Sequence, residues 1–158
     1  MARGFVMVLD GIVEREYFER ASRDVVITRR IGRSIPVDWE VDEGTLDVVH
    51  FPSRGAFQPS RDYLSKPQAT HVGIYMDKNA TWEENLPYLL WQIGVILRAT
   101  TANCVTRYED EEYTLVRLNG RIWMNPDSLV LKHVDPGWLG VEVSFETHDL
   151  PHGRWEHP

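Results

Sequence analysis

The chain has 158 residues, 42% hydrophobic and 26% charged, which is ordinary globular usage and predicts one domain that folds without disulfide or metal. Its 17 Lys and Arg stand against 24 Asp and Glu, so the net charge is −7 and phosphate backbones are repelled. Nucleic-acid binding is therefore disfavoured, no apolar run approaches the ~18 residues of a membrane span, and the N-terminus lacks a signal-peptide pattern. A cytoplasmic protein is expected, with no membrane partner. The lone Cys104 cannot form an internal disulfide and is expected to be a buried structural thiol.

Residues 5–9 are apolar and read as a strand. Asp10 and Gly11 follow, and the simplest role for Asp10 is to cap the next helix. That helix is predicted over 12–23, because Val13, Tyr17, Phe18 and Ala21 recur on one side. Residues 25–28 are β-branched and predict a strand. Breakers dominate 32–44, and 46–51 is the next predicted strand. A long irregular loop is expected over about 52–70, followed by a strand over 71–76.

Thr81 and Glu84 have the spacing of a capping box. Leu86, Leu89, Leu90, Ile93, Ile96 and Leu97 then make one broad apolar helical face. Pro87 predicts either a helix that starts near Asn85 or a kink. Further on, 113–118 and 121–124 flank Asn119 and Gly120, the strongest short hairpin signal, since a type I′ turn needs positive φ at both central residues. Strands are predicted over 129–134 and 141–146, separated by a turn at Asp135, Pro136 and Gly137. The tail over about 149–158 is polar and expected to be loose. The order predicts an α+β fold: a mostly antiparallel sheet with two main helices on one face.

No motif in this pattern has the spacing of an active site, so the chain is expected not to be an enzyme. Phosphate loops and nucleophile elbows are missing. His148 and His152 are four apart, but Pro151 between them opposes a helical zinc site. No metal or cofactor is expected. A catalytic alternative would need Asp10, His50, His71 and Glu84 to converge in space.

Surface recognition is better supplied. Glu109, Asp110, Glu111 and Glu112 form the one dense acidic run, suited to a basic partner surface. Trp39 and Trp138 lie in or beside irregular stretches, where tryptophan often serves as an interface hot spot. These six residues are the candidate partner-binding set.

Between about residues 72 and 125 a helix over 86–97 leads through 105–110 into the hairpin 115–125. This arrangement resembles the helix and β-hairpin of small immunity proteins in polymorphic-toxin systems, the Sit-type (swarming-inhibition) group in particular. The resemblance implies a cytoplasmic protein that neutralises a toxin by occluding it, its partner possibly a basic toxin domain. A self-associating structural protein is the remaining alternative.

Overall fold

The computed structural model describes residues 4–28, 39–45, 64–75, 81–108 and 112–145. Six strands form one sheet: β1 (Gly4–Asp10), β2 (Trp39–Thr45), β3 (Gln68–Tyr75), β4 (Cys104–Tyr108), β5 (Glu112–Leu118) and β6 (Arg121–Met124). Their order across the sheet is β2-β3-β1-β4-β5-β6, and every neighbouring pair is antiparallel. Two helices, α1 (Arg15–Thr28) and α2 (Trp82–Ala99), complete an α+β fold dominated by sheet.

Alternation along the strands decides what each face buries. Phe5, Met7 and Leu9 of β1 join Val72, Ile74, Cys104, Leu115, Ile122 and Met124 in the main core. Into it α2 sends Leu86, Leu89, Leu90, Ile93, Ile96 and Leu97, all buried, and α1 sends Phe18. Both helices thus serve the same sheet face, as the 3.6-residue spacing of their apolar positions requires. The opposite face is apolar as well: Val8, Val105, Val116, Leu118 and Trp123 form a second cluster with Leu64. Among the described residues, no helix is long and apolar enough to cross a membrane.

Local signals are realised where the physics is local. Thr81 caps α2 by accepting from the Glu84 N–H, and the Glu84 carboxylate accepts from the Thr81 N–H in return. The helix starts at Trp82, not near Asn85, and continues through Pro87, so the Glu83 carbonyl loses its usual i+4 donor, a cost the apolar face outweighs. Asn119 and Gly120 have φ of 51° and 82°, the left-handed pair that a type I′ hairpin demands.

Other expectations are corrected. Residues 25–28 continue α1 and are not a strand; the helix, anchored by buried Phe18 and Ala21, carries on through them, and a modest β-branched propensity does not stop it. α1 begins at Arg15, not at 12, and Asp10 does not cap it. Residues 39–45, read as irregular, form β2 because β3 supplies a full seven-residue register from Trp39↔Ile74 to Thr45↔Gln68. Residues 68–70, expected in a loop, belong to β3.

Residues 129–134 form no strand; they turn through a 3₁₀ element, Leu131–His133. From 141 to 145 the chain makes only one parallel bridge, Trp123↔Ser144. The strand expected at 46–51, the loop from 52 to 63 and the tail from 146 lie outside the described residues.

Candidate functional site

The apolar face of α2 that enters the core leaves a second stripe: Tyr88, Trp91, Gln92, Val95 and Arg98, again spaced by three and four. A 3₁₀ turn, Pro136–Leu139, is seated on this stripe. Gly94 makes the close approach possible. A Cβ there would lie 1.8 Å from the Leu139 carbonyl oxygen, so any other residue would push the turn away.

The same turn is fixed at both ends. Asp135 caps it, its Oδ1 accepting from the Gly137 N–H at 2.8 Å. Gly140 ends it with φ of 68°, a left-handed conformation that favours glycine. Arg98 Nη1 donates to the Leu139 and Gly140 carbonyls at 3.1 and 3.2 Å. Leu139 is fully buried in the main core.

All of this holds Trp138 in the open. Its side chain is 44% exposed, and its ring rests against Tyr88 with centroids 6.5 Å apart. Trp138, Trp91, Arg98, Asp135, Gly137 and Gly140 line an open groove of about 500 Å³. A large aromatic, already ordered on rigid backbone, loses little entropy when a partner covers it. Trp, Tyr and Arg are also the types that concentrate binding energy at interfaces.

Trp39 comes to the same helix from the far end of the sequence. Its indole N–H donates to Gln92 Oε1 at 2.9 Å, and both Trp39 and Trp91 pack against Ala21 and Val95. Trp39 is half-buried, so it supports the stripe more than it is presented by it. Two of the six candidate partner-binding residues, Trp39 and Trp138, are therefore brought to α2.

Glu112 is a correction. It is 3% exposed, and its carboxylate accepts from the Ser128 hydroxyl and from the N–H groups of Leu129 (3.0 Å) and Val130 (3.2 Å). It pins a turn and offers nothing to a partner. Glu109, Asp110 and Glu111 lie outside the described residues.

Two of the dispersed residues of the catalytic alternative, Asp10 and Glu84, hold local structure. Asp10 is buried, with Oδ2 accepting from the N–H and hydroxyl of Ser65 (both 3.2 Å) and Oδ1 from the Lys66 N–H at 2.9 Å. It caps the approach to β3. It lines a cleft of about 380 Å³ with Glu14, Tyr17 and Lys66, to which neither His71 nor Glu84 contributes. Glu84 is in the capping box, and His50, His148, His152 and His157 lie outside the described residues. Among the described residues, no group of three or more His, Cys, Asp or Glu is placed to hold a metal ion.

Cys104 is buried, as expected. Burial pushes its thiol up from an ordinary 9.0 to about 11, against a smaller opposite pull from Arg117. Arg117 itself is 5% exposed and donates to the carbonyls of Leu97 and Ala102 and to Thr100 Oγ1, tying off the C-terminus of α2. Burial lowers its pKa, and the Cys104 thiol opposes that shift.

Gly94, Arg98, Tyr88 and Asp135 do not stand out as site residues in the sequence. One signal was available: a glycine inside an otherwise apolar helix usually has a packing reason. Comparison with family models, curated proteins and solved structures gave no match.

Proposed function

We propose that this chain is a protein-binding module that acts by covering its partner, in the manner of an immunity protein neutralising a toxin. The observation that supports this reading is the display of Trp138: a helix glycine, an arginine and an aspartate are all spent on holding one exposed aromatic in a groove. A purely structural turn has no need to present an indole that way. The net charge of −7 adds a preference for a basic partner, speeding encounter more than strengthening the final complex.

The test is co-expression with the product of the adjacent open reading frame. That product is expected to inhibit growth alone, to be silenced by this chain, and to co-purify with it. Trp138→Ala should weaken the complex by about 30-fold or more, the scale of a hot-spot truncation. A neighbour that is harmless and forms no complex would remove the immunity reading. A complex indifferent to Trp138→Ala would remove the groove.

A further inference from the structure

The carboxylate that caps the 135–140 turn is only half used. Asp135 Oδ1 accepts from the Gly137 N–H, while Oδ2 accepts no hydrogen bond among the described residues, and the side chain is exposed. A neutral Asn or Ser caps a helical turn about as well as Asp. Capping therefore does not account for the negative charge.

The indole stands on the same side of the turn. The Trp138 N–H donates to the Asp135 carbonyl at 3.1 Å, and residues three apart in a 3₁₀ turn lie nearly over one another. Both side chains line the one groove. The Trp138 ring meets that of Tyr88, tilted by 53°. The cation–π pairs among the described residues, Arg20 over Tyr17 and Arg121 over Trp123, use other rings.

Arg98 is the groove's own cation, and it sits at the other end of the turn. Its Nη1 is given to the Leu139 and Gly140 carbonyls, and among the described residues no ion pair joins it to Asp135. The two charges are thus spaced along the turn, the carboxylate before Trp138 and the guanidinium after it. Arg98 is exposed, so solvent and salt screen its repulsion of a second cation.

An indole face beside an unpaired carboxylate suits an arginine side chain. A planar guanidinium can stack on the ring and turn its N–H fork to the carboxylate, which a compact lysine ammonium does less well. The net charge of −7 favours the same visitor before contact. We infer that the groove takes an arginine side chain of the protein partner, its guanidinium stacked on Trp138 and paired with Asp135 Oδ2. This inference rests on the protein-binding reading above and names the chemistry of the anchor.

The probe is a capped pentapeptide, Gly-Gly-Arg-Gly-Gly, titrated into the full isotopically labelled chain. Binding is followed by NMR at the Trp138 indole N–H, identified by its loss in Trp138→Phe. Two control peptides replace the Arg by citrulline, which keeps the planar shape without the charge, or by Glu. The Arg peptide is expected to shift the Trp138 indole and to bind about tenfold tighter than the citrulline peptide, since a cation–π contact and an exposed ion pair are each worth a few-fold. Asp135→Asn keeps the cap and removes the charge. It should weaken the Arg peptide about threefold and leave the citrulline peptide unchanged, a split that a merely structural Asp135 does not produce.

Equal binding of the Arg and citrulline peptides would overturn the inference. So would tighter binding of the Glu peptide, which would make Arg98 the recognising group, or no shift of the Trp138 indole with any peptide. These titrations use the wild-type chain and decide the matter even if Asp135→Asn misfolds. Failure of the peptides leaves the groove to be judged by Trp138→Ala in the partner complex. A complex indifferent to that variant removes the groove whatever the peptides do.

Discussion

Two irregular turns follow the hairpin, and they are built from the same chemistry to opposite ends. The turn at 128–131 is pinned from inside: the Glu112 carboxylate collects the Ser128 hydroxyl and two backbone N–H groups, and Ser128 Oγ accepts from the Leu131 N–H at 3.0 Å. The turn at 135–140 is pinned from α2, and its most conspicuous side chain faces out. Leu129 in the first turn is more exposed than Trp138 in the second, 68% against 44%. Exposure alone does not mark a contact residue, since single exposed aliphatic side chains are ordinary. Trp138 differs in having a groove, a ring neighbour and a fixed backbone. The first turn thus serves stability, and the second serves presentation.

That contrast makes an ordered set of predictions, and the order for stability should reverse for binding. Glu112→Ala leaves two buried donors and one part-buried donor without an acceptor and should cost about 4 kcal/mol in chemical denaturation, given the strength of bonds to a charged group. A small loss would mean that the turn is held by something else.

Alkaline pH tests the core beneath both turns. The Cys104 thiol titrates near 9.0 when unfolded and at about 11 when folded. Below pH 9 both states keep the proton, so stability from this group is fully present. Between pH 9 and 11 only the unfolded state loses it, so stability should fall by about 1.4 kcal/mol per unit. Subtracting the same profile for Cys104→Ala isolates the thiol, and parallel profiles would contradict the burial.

Gly94→Ala gains about 1 kcal/mol of helix propensity. It nevertheless collides with the Leu139 carbonyl, and a net loss of about 2 kcal/mol is expected, with a changed Trp fluorescence spectrum as the turn lifts. A stabilised variant with an unchanged spectrum would mean that the turn is not seated there. Trp138→Ala should have the smallest effect on stability, below about 1 kcal/mol, while having the largest on partner affinity. A large loss of stability would recast Trp138 as a packing residue.

The candidate site was only partly legible. Trp39 and Trp138 were singled out for their irregular surroundings, yet 99 positions separate them, and only β2 pairing with β3 and the turn seating on α2 bring both to one helix. In the sequence Glu112 reads as the end of an acidic run suited to a basic partner surface. Its burial follows from the chain returning at Ser128, which no neighbour in sequence announces.

What the sequence determined by itself is what short-range forces decide. The capping box at Thr81, the apolar face of α2 and the Asn119 and Gly120 hairpin each depend on groups within a few residues, and each is found where the spacing put it. The tertiary structure alone decided that 25–28 would be helix, that 39–45 would be a sheet edge, and that 128–133 would turn. In the last two segments the backbone's partners come from far along the chain, β3 for one and the Glu112 carboxylate for the other, and they outweigh the modest preference of each residue for its own conformation; in the first, a helix already anchored in the core carries on past residues of β-branched propensity.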